Sequence, residues 1–165
     1  MALSQITFPV PCGNGPVNVS CTIDTSSGVH GRIDFVEKCI AEQLAPVEMP
    51  VEHTFLEGMY VRKITMKAGI LCTSKIHKTR HPFLVVSGKA KVFDAAGGWQ
   101  LIEGPYAGVT QPGTRRILEI VEDMIWYTFH ATESTDLDEI EREVIHEHDS
   151  GANDLRQKLL EGGKS

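Results

Sequence analysis

No apolar run in these 165 residues approaches the roughly 18 that a membrane-crossing helix needs, so no membrane partner is expected. Basic residues never run beyond two, as at Arg115-Arg116, and the formal net charge is -6. Nucleic-acid surfaces usually need a basic patch, so nucleic acid is not an expected partner either. The opening MALSQITFPVP has no charged segment leading into an apolar one; a secretory signal is not expected, and the expected compartment is the cytoplasm. Cys12, Cys21, Cys39 and Cys72 are irregularly spaced and form no Cys-x-x-Cys pair, which suits packed thiols in a reducing compartment. Gly-x-Ser-x-Gly and the glycine-rich phosphate loop are both missing, which removes the usual grounds for a serine nucleophile or a nucleotide site.

What is present is the composition of a folded protein, 41% hydrophobic and 23% charged, with a length that suits one domain and its trimmings. QITFPVP and VNVSCTI alternate apolar and polar residues around Cys12-Gly13-Asn14-Gly15, the pattern of a β-hairpin. TSSGVHG reads as a loop. Ile33, Val36, Ile40 and Leu44 then recur at helical spacing until Pro46 and Pro50 close the segment, predicting a helix over 33–44. From Phe55 to Thr132 the strand signals are MYVRKITM, PFLVVSG, AKVFD, WQLIE, GVTQ, RILEIV and MIWYTFHA. Turns are expected between them, among others at Ser87-Gly88, Pro112-Gly113 and Glu122-Asp123. Short strands at this density predict an antiparallel sandwich or barrel without internal helices.

After the barrel, Thr135-Asp136-Leu137-Asp138 resembles a capping box and opens an expected helix over 136–147. ANDLRQKLLEG predicts a second short helix before a fraying GGKS tail. The expected division is a hairpin and helix over 1–50, a barrel over 51–133 and a helical extension over 134–165.

The chemistry gathers in GILCTSKIHKTRHPFLVVSG, residues 69–88. On an extended segment residues four apart face the same side, so His77 and His81 can enter one barrel together, and imidazole is a common transition-metal ligand. Two ligands are few for a site; the alternative is a pair of hydrogen-bonded histidines without metal. His130 shares a face with Thr128 and Trp126. Whether that face lines the pocket depends on the expected hairpin at Glu122-Asp123: a two-residue turn sets Arg115 opposite His130, a one-residue bulge Arg116. Cys72 would bind or react only if neighbours such as Lys75 lowered its pKa; otherwise it is a packed strand-end residue. His146 and His148 read as charges at a helix end. Glu57, Glu103 and Glu119, on candidate strands or their ends, compete for any cation. No catalytic residue is assigned.

Gly69, five residues, Lys75-Ile76-His77, three residues, His81, six residues and Gly88 together resemble the first motif of the cupin family. Lys75 stands where that motif has its first histidine, and His81 where it has glutamate. GPYAGVTQPGTRRILEI resembles the second motif around Gly113, with Arg116 at its histidine position. Lys75 through Thr79, Pro112 through Arg116, and Trp126 with His130-Ala131-Thr132 are similar to stretches of small bacteriophage-encoded cupin-like proteins. The resemblance implies a mainly β fold, an antiparallel jelly-roll (cupin) barrel. In the pocket of such a barrel His77 and His81, joined by His130 if its face turns inward, could hold one divalent transition metal, or none; Lys75 and Arg116 would instead attract a small anionic ligand. A cation at a ligand position repels a divalent ion by several kcal/mol unless its side chain turns away. The phage likeness implies a second role, a virion brick with other virion proteins as partners and the virion as its location. In either role the chain is expected to assemble with itself, as a homodimer or larger, through residues 1–24.

Overall fold

The computed structural model describes residues 3–12, 15–24, 26, 28–94, 98–148 and 150–152. The expected second helix of the C-terminal extension and the GGKS tail lie outside these residues. Strands β1 (Leu3–Cys12) and β2 (Gly15–Asp24) pair with each other and with no other strand among the described residues, then comes helix α1 (Val29–Gln43). Seven strands follow: β3 (Val51–Leu56), β4 (Met59–Met66), β5 (Leu71–Thr73), β6 (His81–Asp94), β7 (Gly98–Glu103), β8 (Tyr106–Thr110) and β9 (Arg116–Ala131). Helix α2 (Leu137–Val144) comes last.

The seven strands form one antiparallel sheet folded into two halves. The first halves of β6 and second halves of β9 pair with each other and with β8 and β4, whose other neighbour is β3; this is the front half. The remaining halves of β6 and β9 pair with β7 and β5 and make the back half. Two expected turns are therefore bends inside long strands. At Ser87-Gly88 and Glu122-Asp123 the β6–β9 register shifts, and both strands cross from front to back. Gly88 has φ +94°, and a Cβ on it would lie 2.2 Å from the Asp123 carbonyl oxygen and 2.6 Å from Met124 Cα. Only glycine lets the bent strands approach this closely. Glycine and acidic residues mark a bend as readily as a turn, which is why the sequence pattern reads as four short strands. No helix interrupts 55–132 among the described residues, as expected.

Period-two alternation on these strands builds the main core between the halves. Val85, Ala90, Val92, Ile120 and Met124 are fully buried there, joined by Met66, Ile102, Leu118 and Trp126. A second core lies outside the back half. Ile33 and Val36 of α1 pack against Leu71 and Ile117 of that half and against Val19 and Cys21 of β2. Full burial of each such aliphatic side chain contributes about 1.5–3 kcal/mol. The helix begins at Val29 rather than at Ile33, because its first turn is only half-buried and carries too little apolar periodicity to show.

Asp136 caps α2, its carboxylate accepting from the backbone N–H groups of Asp138 and Glu139. The helix stops at Val144 instead of 147. Ile145 leaves it to bridge His77, and the His146 N–H donates to the Ile76 carbonyl. His146 and His148 thus sit on an extended segment, not on a helix end. Ile140 and Val144, the buried face of α2, rest on Tyr60 and close the open end of the barrel.

Candidate functional site

The strand register stacks side chains in rows across the front half, from the barrel mouth inward. Tyr60 stands opposite His130, and His81 opposite Thr110. One step deeper, Arg62 faces Thr128, which faces Phe83. Deeper still, Ile64 faces Trp126 and Trp126 faces Val85. Polar groups occupy the mouth and apolar ones the floor of a cavity of about 400 Å³. Leu118 and Arg116 enter it from the back half, and Ile140, Val144 and Glu141 of α2 cover it.

The structure brings the three candidate histidines together. Ring centroids are 4.6 Å apart for His77 and His81, 4.3 Å for His81 and His130, and 6.5 Å for His77 and His130. His81 Nδ1 lies 3.1 Å from the Thr79 carbonyl oxygen, which can only accept, so Nδ1 carries the proton and Nε2 a lone pair. That Nε2 is buried without a partner, as are His77 Nδ1 and His130 Nδ1. His130 Nε2 is 3.1 Å from Thr128 Oγ1. Burial, reinforced by the neighbouring histidines and by Arg116 and Arg62, pushes His77 down to about 3. Burial, with His81 and Arg62, pushes His130 down to about 4, and burial, with Arg116 adding to it, lowers His81 as well. All three are neutral imidazoles at pH 7. The rings adjoin without forming a finished coordination set: among the described residues no three His, Cys, Asp or Glu side chains have donors arranged to hold a metal.

The two candidate anion ligands part company. Arg116 is inside: its Nη1 donates to Thr110 Oγ1 at 3.1 Å, its Nε lies 3.4 Å from an Asp94 oxygen, and its guanidinium sits 5.4 Å over Phe83. Lys75 stands at the rim, where its exposed ammonium is bound to the Glu141 carboxylate. Cys72 lines the cavity, but burial pushes its thiol up to about 12, the reverse of activation. The three candidate glutamates stay out of the cavity: Glu119 pairs with Lys91, Glu103 with Lys89, and Glu57 is exposed in the β3–β4 turn. No hairpin forms at Glu122-Asp123, so neither Arg115 nor Arg116 faces His130; its strand neighbour there is Tyr60.

Two residues the histidine spacing does not reveal also line the site. Tyr60 stacks on His130, and its hydroxyl is 2.7 Å from His53 Nδ1. Arg62 is the charged member of the inward series Tyr60, Arg62, Ile64, Met66. A charge on the buried face of an alternating strand is itself the signal that could have found it.

No family model matches the chain, and no curated protein is similar to it. Solved structures do match. The ectoine synthase of P. lautus aligns over 64% of this chain and 80% of its own, at 11% identity and a TM-score of 0.50. A cupin-family protein with a double-stranded β-helix fold from Methanocaldococcus jannaschii aligns over 52% and 82%, at 8% identity and TM-score 0.44. An uncharacterised protein with a double-stranded β-helix domain from Klebsiella pneumoniae aligns over 58% and 89%, at 16% identity and TM-score 0.43. With the two bent strands shared between halves, the matter is decided. The fold is that of the cupins.

In this cupin barrel the glycine frame is kept: Gly69, Gly88 and Gly113 all have positive φ, at 87°, 94° and 79°. The ligand positions differ from the motif, as the sequence implies, and His130 adds an imidazole from a strand position outside both motifs. These identities speak to fold alone, and the comparisons give nothing on a phage source.

Proposed function

We propose that the chain is a small-molecule pocket protein, whose barrel holds one divalent transition metal on His77, His81 and His130 next to a small anionic ligand. The observation that carries this reading is the His81 ring. Its Nδ1 is committed to a carbonyl, so its Nε2 lone pair points into a buried space with no donor to meet it. An unmet buried acceptor costs about 1–3 kcal/mol, and a metal or a ligand donor removes that cost. The donor chemistry suits a divalent ion of the kind that takes nitrogen ligands, since all three imidazoles are already deprotonated, although the rings would have to turn to coordinate it together. Against it stand the two guanidinium groups, which favour an accompanying anion. Bound there, a metal would supply Lewis-acid polarisation of a ligand oxygen. The chain's own groups would orient the ligand: Tyr60 and Thr110 as hydrogen-bonding groups at the mouth, Trp126 and Ile64 as an apolar floor.

Elemental analysis of purified protein tests this. About one transition metal per chain is expected, lost in His77→Ala and in His81→Ala. Protein that takes up none of nickel, iron, zinc or manganese leaves the cavity to an anion alone.

A second reading, the barrel as an assembly module of a virion, draws on the hairpin. Strands β1 and β2 bond to no other strand among the described residues, and unpaired strand edges invite another chain. Light scattering on the full chain and on a chain starting at Val47 tests that assembly. Loss of a dimer on truncation supports assembly through residues 1–24; monomers in both cases remove its main ground.

A further inference from the structure

Among the described residues, Arg62 is the one charged side chain of the cavity without an ion pair. It projects from the middle of β4 into the second row of the cavity, between the histidine mouth and the Ile64–Trp126 floor. Among the described residues no carboxylate forms an ion pair with it. The carboxylate that exerts a field on it, Glu141, is already bound to Lys75. Arg116 differs, because Asp94 lies beside its guanidinium. A half-buried guanidinium without a counter-ion is costly, and chains retain such a charge where something else neutralises it.

We propose that the counter-ion is the ligand, and that the ligand is a small carboxylate with a short apolar body. The carboxylate docks on Arg62, whose planar fork matches two carboxylate oxygens. Its apolar part lies on Ile64, Trp126 and Leu118. A cavity of about 400 Å³ is at the small end of the range for organic ligands, 300–1,000 Å³. Phosphate fits less well, since the floor is apolar and the N-terminus of α2, which reaches the site at Leu137, is already capped by the Asp136 carboxylate. The inference rests on the cavity being a ligand site but not on a metal occupying it.

The test is calorimetric titration of the full chain with butyrate, at fixed ionic strength, with butyramide, acetate and inorganic phosphate as comparisons. Butyrate is expected to bind, acetate severalfold more weakly because it lacks the methylenes that reach the floor, and butyramide not detectably. Arg62→Met should weaken butyrate at least tenfold, and metal uptake should be unchanged or tighter, because a repelling charge is gone. If Arg62→Met does not fold, Arg62→Lys serves: it keeps the charge, loses the fork, and should weaken butyrate severalfold. The proposal is overturned if wild-type protein does not bind butyrate, if the available Arg62 variant binds it as well as wild type, or if phosphate binds equally with the same dependence on Arg62. Metal content read on the same samples keeps the questions apart. Metal without butyrate binding sinks this inference alone, and butyrate binding without metal sinks the metal site alone.

Discussion

Arg115 and Arg116 leave the start of β9 in opposite directions, and their surroundings divide the molecule. Arg115 points outward under α1 and is 3% exposed. Its guanidinium donates to Asp34 at 2.6 Å, to Glu37 at 2.9 Å and to the carbonyls of Ser74 and His30, while His148 reaches the same Asp34 oxygen at 2.7 Å. Arg115, Asp34, Glu37 and His148 answer one another there, His30 Nδ1 beside them being buried without a partner, and the network ties α1, β9 and the C-terminal segment together. Across the sheet the cavity keeps three unmet imidazole nitrogens and an unanswered Arg62. Buried polar groups are nearly always satisfied in folded proteins, so a satisfied network marks structure and an unsatisfied one marks a place for a ligand.

Acid separates the two regions with the largest effect. The cavity histidines have folded-state pKa values below their unfolded value near 6.5, so below that pH the unfolded chain binds protons that the folded chain refuses. Their contribution is intact above pH 6.5 and is lost as pH falls toward the folded values, about 3 for His77 and about 4 for His130. At pH 5 the loss is about 2 kcal/mol for His130 and somewhat less for half-buried His77, with His81 adding in the same direction. Asp34 obeys the opposite logic. Burial pushes it up, but the hydrogen bonds from Arg115 and His148 outweigh burial and hold it below the usual carboxylate value. Its contribution is present above about pH 4 and is lost only below that. Urea unfolding of metal-free protein from pH 7.5 to 3.5 should therefore show stability falling first between 6.5 and 4.5. In His130→Gln that first fall should shrink. A flat profile down to pH 4.5 means that the cavity is open to water and the comparison fails.

Substitution at the two arginines comes next. Arg115→Met strands two carboxylates that retain 21% and 32% exposure, so the cost should stay short of the fully buried case, at about 2–3 kcal/mol. Arg116→Met keeps the packing on Phe83, loses Thr110 and Asp94 as partners, and relieves repulsion on His77 and His81; a loss of about 1 kcal/mol or less is expected. Denaturation midpoints rank the pair. The reverse order would mean that Arg116, not Arg115, is the structural member.

Much of this was legible from residue order. β4 has the bounds of the segment MYVRKITM, the three glycines of the cupin frame adopt positive φ, and His77 and His81 meet as their spacing allowed, though across a bend at Lys78-Thr79 rather than along one extended strand. What was hidden depended on distant pairing. The Gly88 and Glu122-Asp123 bends have the chemistry of turns, and only pairing with two different neighbours along each strand makes β6 and β9 continuous. Because β9 does not fold back on itself, the hairpin geometry could not locate His130; β4 does, by setting Tyr60 beside it. Strand β5 has three residues, too few for an alternation to register.

The smallest expected effect concerns Lys75, which shares with Arg116 the distinction of standing at a histidine position of the cupin motifs. Their side chains differ in reach. Arg116 is held inside by Thr110, whereas the Lys75 side chain is 62% exposed and bound to Glu141, itself 56% exposed, on the outer turn of α2. An exposed pair of this kind contributes about 0–1 kcal/mol, so Lys75→Met should move the denaturation midpoint little. Its charge is also screened from the cavity by solvent and by its partner, so metal and butyrate affinities should stay within about twofold of wild type, a change of under 0.5 kcal/mol. Arg116→Met should raise metal affinity by more than that. If Lys75→Met raises it equally, the ammonium acts on the cavity despite Glu141, and both cations belong to the site.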